Sequence, residues 1–424
     1  MTTASPIDPP ANPVVRVARG WNRFWFSPGD PTLLGLIRIC CGLVTLYVHL
    51  AYSADLREFF APDAWADRQT INEIRHDWPW GRGPWGWEQL QVPPKDEPLT
   101  PAEAEFAKHH WPADPREAPP YFRGLIAWSV WYHVPMVDDD GNYDPTWMWV
   151  VHVSGLVVIF LFALGFCTRV TSVLTWVVAV SYIQRSPPTL FGQDTMMNIL
   201  LLYLMVGPSG AALSVDRLLR RWWQVRQARK KHRPPPPWLP PAPSVSANFA
   251  LRLIQVNLCF IYFVSALSKL EGRTWWAGTA IWLTLANYEF SPMRFGPYAA
   301  FLRFLCDHRW LWEVVMSGGV VFTFVVELGF PFLVWNRRLR PVMVSLAVMM
   351  HTGIALSMGL RTFSMMMMVM DLSFVSPAVV HRLLGMLRRA VPLEPPQPAA
   401  VEEPPLAEPT AIRTGRGEKQ RAKK

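Results

Sequence analysis

The amino-acid sequence predicts an all-α, polytopic transmembrane helical bundle of about eight spans, with interfacial or re-entrant helices and a mostly irregular outer loop. Three observations predict this fold class. The chain is 51% hydrophobic and rich in Trp, Phe and Met. Apolar runs of about twenty residues, the length of a helix that spans a bilayer, recur along it. Basic residues cluster beside those runs, a pattern that indicates membrane orientation and not nucleic-acid binding.

Eight apolar runs give the predicted spans, which are residues 33–51, 147–164, 170–183, 196–213, 249–267, 313–335, 341–358 and 363–380. About thirty mostly polar residues precede the first run, and no small-residue cleavage site follows it, so we expect an uncleaved anchor. The chain then divides into an N-terminal segment (1–32), a transmembrane domain (33–380) and a basic tail (381–424).

The distribution of charge sets the predicted orientation. Residues 216–233 hold eight Lys or Arg and one acid, and they lead into a proline tract that cannot continue a helix. This marks the basic, Pro-rich 214–247 loop as cytoplasmic. The 52–146 segment holds 17 Asp or Glu against 8 Lys or Arg, which fits an outer loop. Both termini are then cytoplasmic, most simply in a bacterial inner membrane, and the tail is predicted to be disordered from about Leu393.

Two short segments, 276–286 and 295–306, lie between Lys269 and Glu313, which this orientation places on the same outer side. The chain between them therefore crosses the membrane zero or two times. Both segments are short, and polar or charged residues interrupt or flank them. We expect two interfacial or re-entrant helices at the outer face.

A lysine ends the fifth predicted span. Lys269 follows a long apolar run and precedes Trp275 and Trp276. Taking an ammonium out of water is costly, so the edge of the hydrocarbon favours the neutral amine, which is a base. The alternative is a lysine that snorkels to the interface beside an aromatic belt. The residues alone leave both interpretations open.

Other ionisable residues inside predicted spans are expected to face the bundle interior. Glu327 and His351 lie near the middles of consecutive spans, so we expect them to face each other or a shared cavity, where they could hold or pass a proton. An interhelical hydrogen bond that fixes packing is the alternative. Arg38 and Asp371 are predicted to form a structural ion pair. The Asp138–Asp140 run is either a cation site or a solvated acidic loop.

Cysteine spacing indicates neither a disulfide framework nor a zinc site, since the five cysteines show no CxxC pattern. The chain also lacks Walker A, HExxH and GxSxG motifs. No metal is predicted.

An ordered set of loose motifs resembles the HTTM membrane-domain family, named after the vitamin K-dependent γ-carboxylases. The motifs are Phe24–Pro28, Gly35–Ile39, Phe59–Asp63, Gly165–Arg169, Leu213–Leu218, Arg252–Gln255, Ile261–Phe263, Lys269–Leu270, Trp276, Gly278–Ala280, Glu327 with Pro331, His351, Gly359 and Phe363. The resemblance covers about residues 20 to 380 and implies the fold of that family.

The resemblance implies a catalytic role for Lys269. In the carboxylases the matching lysine is held to deprotonate vitamin K hydroquinone. Dioxygen then turns the reduced quinone into a strong base that removes a γ-proton from a peptide glutamate, and carbon dioxide adds to the carbanion. Glu327 and His351 are further catalytic candidates. Tyr262, Trp275 and Trp276 are candidates to bind a reduced quinone of the vitamin K type.

The chain departs from the carboxylases at three points. They carry a second lysine where Ser268 stands, and a histidine near the start of the fourth span, where this chain has Gln193 and Asp194. They also carry a large soluble domain that captures substrate propeptides, whereas this chain ends soon after its last predicted span. These departures count against a dedicated carboxylase of protein substrates.

Two functions stay open at this point. One is a quinone-linked, carboxylase-like membrane enzyme with Lys269 as base. The other is a non-catalytic or accessory membrane protein in the maturation or export of a secreted peptide. The expected partners are membrane lipid, a peptide or protein substrate and a separate soluble partner, and not nucleic acid. A transporter is less favoured, because no broken pair of spans occupies corresponding halves.

Overall fold

The described residues form helices. The computed structural model describes residues 13–61, 64–65, 129–136, 143–186, 189–289 and 291–390, and these contain no β-strand. The predicted all-α class is therefore confirmed. Residues up to Val380 form one unit, and a second begins at His381. Most of the predicted outer loop, including Asp138–Asp140, and the tail beyond residue 390 lie outside the described residues.

The α-helices are α1 (Pro13–Phe26), α2 (Thr32–Ala51), α3 (Leu56–Phe60), α4 (Thr146–Leu164), α5 (Thr168–Arg185), α6 (Gly192–Val206), α7 (Val215–Lys230), α8 (Val245–Leu270), α9 (Arg273–Trp276), α10 (Ala280–Leu285), α11 (Gly296–Asp307), α12 (Arg309–Leu333), α13 (Arg340–Ser357), α14 (Arg361–Asp371) and α15 (Pro377–Ala390). Two short 3₁₀ helices, Val130–His133 and Leu372–Phe374, complete the set within these ranges.

Five of these helices, α2, α4, α8, α12 and α13, are each long and apolar enough to cross a membrane. The other three predicted spans correspond to α5, α6 and α14, so the expected count of about eight is not confirmed. The 15-residue α6 is about 22 Å long, against a hydrocarbon core of about 30 Å. It ends at Val206 and not at the predicted residue 213, because Gly207 and Pro208 follow. Helix α14 has 11 residues, and α5 has five Thr or Ser among its buried residues.

Helix α8 organises the bundle. It packs against α1, α6, α12 and α14, and α14 in turn packs against α2, α6 and α13. One continuous apolar core runs through α2, α4, α5, α6, α8, α12, α13 and α14. Side chains from one face of α8 can therefore meet groups from several other helices, and this arrangement positions the site described below.

Arg38 does not pair with Asp371, so the predicted ion pair is wrong. The Arg38 side chain is fully buried, and its guanidinium donates to the carbonyl of Ser209 at 2.7 Å and to that of Leu213 at 2.5 Å. The physical reason is the early end of α6. The chain after Val206 turns back without helical hydrogen bonds, so its carbonyls need a donor, and a guanidinium carries five N–H groups.

The predicted basic loop contains α7, which ends at Lys230, ahead of the proline tract. Arg217 and Arg221 donate to backbone carbonyls of the proline-rich segment, and both guanidinium groups lie over the ring of Trp238, at 5.1 and 5.9 Å from its centroid. The loop thus folds back onto its own helix. The three helices α9 to α11 have 4, 6 and 12 residues, too short to span a bilayer of about 30 Å singly.

Cysteine labelling tests the predicted orientation. Gln224 on α7 and Glu289 after α10 are both exposed. In a background where the exposed Cys167 and Cys306 are changed to Ser, Glu289→Cys should react with an impermeant maleimide added to intact cells. Gln224→Cys should react only after permeabilisation, because its helix carries the densest basic cluster. The opposite pattern would invert the orientation.

Candidate functional site

A polar seam runs along helix α8. Asn248, Gln255, Tyr262 and Lys269 recur every seven residues. Seven residues are close to two helical turns, so the four side chains lie on nearly the same face. The first three are buried, so this face points into the bundle. The seam ends at Lys269, in the last turn of the helix.

Lys269 forms an ion pair with Glu327 of α12. Its Nζ lies 2.8 and 2.9 Å from the two carboxylate oxygens and donates to Ser265 Oγ at 2.6 Å. Ser265 Oγ also donates to Glu327 Oε1 at 3.3 Å. The Lys269 side chain is 23% exposed and that of Glu327 is 7% exposed. The lysine side chain therefore points to a carboxylate inside the bundle. The snorkelling interpretation had placed its ammonium at the membrane interface instead.

Trp275 connects the ion pair to a cavity. Lys269 Nζ lies 5.5 Å from the centroid of the Trp275 ring. That ring also lines a cavity of about 290 Å³ that reaches Asn287 and Met358. Trp275 lies on α9, a single helical turn that begins directly after Gly272, and it is therefore close to Lys269 in the chain. The same residue thus adjoins both the cation and the cavity.

Trp276 does not share this position. It is 73% exposed, and its indole N–H donates to the carbonyl of Leu270 at 2.7 Å. Successive helical residues point about 100° apart, so the two adjacent tryptophans face different directions. Trp276 does not line this cavity, so its predicted contact with a bound quinone gains no support there. The cavity is instead walled by α10 and by Met358 at the end of α13.

A second group of polar side chains surrounds Tyr262, which lies two helical turns before Lys269 on α8. Tyr262 Oη lies 2.9 Å from His351 Nε2 of α13 and 3.5 Å from Asp371 Oδ1 of α14. The Tyr262 ring packs on Phe330, with ring centroids 4.6 Å apart. His351 Nδ1 and Asp371 Oδ2 are buried and have no hydrogen-bond partner among the described residues.

Glu327 and His351 are both buried, as expected, but they do not bond to each other. Glu327 bonds to Lys269 and Ser265, and His351 bonds to Tyr262, so each reaches α8 separately. Of the two expected arrangements, direct facing or a shared cavity, the first is not formed by a hydrogen bond, and both side chains bond instead to one central helix. Tyr262 is 1% exposed and lies inside the bundle, and it does not line the cavity beside Trp275.

Sequence reasoning missed two members of the site. Ser265 lies one turn before Lys269, and an i, i+4 spacing places both on the same face, so this signal was present. Asp371 was recognised as an ionisable residue within a span but assigned to Arg38. No pattern along the chain shows which of the four α-helices packed against α14 the buried carboxylate of Asp371 meets.

None of the known protein families, characterised proteins or solved structures to which the chain was compared matches it.

The geometry supports proton transfer between Lys269 and Glu327. A hydrogen bond of 2.8 Å joins the ammonium to the carboxylate. A proton that crosses it leaves a neutral amine and a neutral acid, so the pair can reach an uncharged form without moving net charge through an apolar region. Within the described part of the chain, no group of three His, Cys, Asp or Glu is placed to hold a metal ion.

The ion pair should contribute measurably to stability. Lys269→Ala leaves the carboxylate of Glu327 buried without its cation, and breaking a buried pair costs about 3 kcal/mol or more. Lys269→Arg keeps the charge and should cost far less. The double variant Lys269→Ala/Glu327→Gln removes both charges and should recover part of the loss. Thermal unfolding of the purified variants measures these differences, and a Lys269→Ala protein as stable as wild type would contradict the pairing.

Proposed function

We propose that the chain is a carboxylase-like membrane enzyme of the HTTM type, in which Lys269 acts as general base toward a reduced quinone bound beside Trp275. The observation that carries the proposal is the position of Lys269 Nζ, held between both oxygens of Glu327 and the ring of Trp275. The expected setting is a bacterial inner membrane with both termini in the cytoplasm.

Glu327 supplies what a lysine base needs. A base must be unprotonated when its substrate arrives, and an ammonium is not. Glu327 can accept the ammonium proton across the 2.8 Å hydrogen bond, which leaves an amine lone pair at Nζ. Ser265 Oγ, 2.6 Å from the same nitrogen, holds the amine in place while the proton moves. Nζ can then accept a proton from a hydroxyl group of the bound molecule.

The cavity beside Trp275 suits an aromatic head group. Its volume of about 290 Å³ lies just below the range typical of ligand pockets, which begins at about 300 Å³. Trp275 offers a face for stacking, and Thr274, Thr284 and Asn287 offer polar contacts in the same wall. A reduced quinone, when bound, supplies the electrons for reaction with dioxygen. The acceptor in this proposal is a glutamate side chain of a peptide, presented with a separate soluble partner.

One observation favours the second candidate, a non-catalytic or accessory membrane protein in the maturation or export of a secreted peptide. Lys269 engages both oxygens of Glu327, and such a closed pair also suits a role in fixing α8 against α12. In that case the seam stabilises a scaffold that binds lipid or a protein partner. The two candidates differ in whether the lysine must lose a proton.

Oxygen uptake with reduced menaquinone or phylloquinone tests the proposal. Lys269→Arg preserves the charge and the pairing, but a guanidinium does not deprotonate in proteins. We therefore expect the rate to fall by about 10²- to 10⁴-fold, the usual contribution of a general base. Glu327→Gln should also lose most activity, because the amide cannot take the ammonium proton.

Lys230→Arg, at the exposed end of α7, is the matched control and should retain wild-type activity. Full activity in Lys269→Arg would remove the lysine from the chemistry. A folded wild-type protein without any quinone-dependent oxygen uptake would favour the accessory candidate.

A further inference from the structure

A second hydrogen-bonded arrangement lies away from the Lys269 seam, where the ends of α2, α4 and α5 meet. Ser53 in the turn after α2 places its Oγ 2.8 Å from Nε2 of His152 on α4. The other ring nitrogen, His152 Nδ1, lies 2.5 Å from Oη of Tyr182 on α5. A hydroxyl, an imidazole and a third group that holds the imidazole are thus connected in series.

The imidazole is held in one orientation and screened from water. His152 has no exposed surface, and Tyr182 is 5% exposed. The Tyr182 ring is fixed by Phe60 at 4.9 Å and Trp131 at 5.1 Å between ring centroids. If Nε2 accepts the Ser53 proton, Nδ1 must carry the other hydrogen and donate it to Tyr182 Oη. These are the relations between nucleophile, base and orienting group in serine-based acyl transfer.

Ser53 opens onto a cavity of about 340 Å³. One wall is polar and charged, with Asp55, Arg57 and Glu58, and another is apolar, with Met148 and Trp149. The Arg57 guanidinium lies over the ring of Tyr143, 4.6 Å from its centroid, which keeps this cation at the edge of the same space. The serine therefore faces a space of ligand size, while its base stays buried behind it.

We propose that Ser53 is the nucleophile of a second site that accepts an acyl group from a carboxylic ester. Ser53 Oγ attacks the ester carbonyl, and its proton passes to His152 Nε2. The bond to the leaving alcohol breaks, and that alcohol takes the proton from His152. Water, activated by the same imidazole, then releases the carboxylic acid and restores Ser53. Tyr182 is a positioning residue that holds the imidazole.

The walls of the cavity define the class of ester. The apolar side, with Met148 and the partly exposed Trp149, suits an acyl chain. The charged side suits a polar head group, and the cationic Arg57 can stabilise the oxyanion that forms on attack. The cavity lies at the ends of two helices long enough to span a membrane, α2 and α4, where a lipid ester can reach it. None of these residues belongs to the Lys269 site.

A fluorophosphonate probe tests the proposal directly, since it forms a bond from phosphorus to an activated serine oxygen and releases fluoride. Purified wild-type protein should be labelled, and peptide mapping by mass spectrometry should place the label on Ser53. Ser53→Ala should lose it. His152→Gln should label about 10²- to 10⁴-fold more slowly. Ser357→Ala, whose hydroxyl donates to a carbonyl of its own helix, should label like wild type.

Tyr182→Phe should displace the pH profile of the labelling rate, which a purely structural tyrosine would leave in place. Thermal unfolding of each variant shows whether it is folded. If Ser53→Ala does not fold, the position of the label in the wild-type protein and the labelling rate of His152→Gln test the proposal instead. An unlabelled wild-type protein, beside a serine hydrolase that labels in the same detergent, would overturn the proposal. So would a label on another serine.

Discussion

A polar or charged side chain inside an apolar bundle must find its partner within the protein, because hydrocarbon offers none. This constraint explains why α8 is central. Its seam of Asn248, Gln255, Tyr262 and Lys269 can be buried only if other helices bring polar groups to it. Glu327 comes from α12, His351 from α13 and Asp371 from α14. The packing of these helices around α8 and the existence of the site have the same physical cause.

The same constraint governs Arg38 and separates it from the seam. A buried guanidinium can be satisfied by carbonyls as well as by a carboxylate, and the turn after α6 presents them. Asp371 is then left to the seam, where it meets Tyr262. Lys269 differs from Arg38 in two respects. It lies beside a cavity through Trp275, and its ammonium can give up a proton, whereas a guanidinium cannot. Lys269 can therefore take part in proton transfer, whereas Arg38 is suited to a structural role.

Hydropathy was enough to predict the fold class and most helix positions. The predicted span 33–51 corresponds to α2 (Thr32–Ala51), and 147–164 to α4 (Thr146–Leu164). Hydropathy placed the end of the fourth span too late, because Gly207 and Pro208 end helix α6 within the apolar run. For the site, periodicity along α8 shows which residues share a face but not which helix each one meets. Lys269, Glu327 and His351 could therefore be selected from the sequence, whereas the Lys269–Glu327 pair and the role of Asp371 required the fold.

The central claim is that the Lys269–Glu327 pair adjoins a binding site for a reduced quinone. The most direct measurement is a cryo-electron microscopy structure of the protein in lipid nanodiscs with a non-oxidisable analogue of the reduced quinone. The claim predicts density for the ring system against Trp275, with a hydroxyl group of the analogue within hydrogen-bond distance of Lys269 Nζ. An analogue bound elsewhere, with Lys269 and Glu327 still closed on each other and the cavity beside Trp275 free of the ligand, would contradict it.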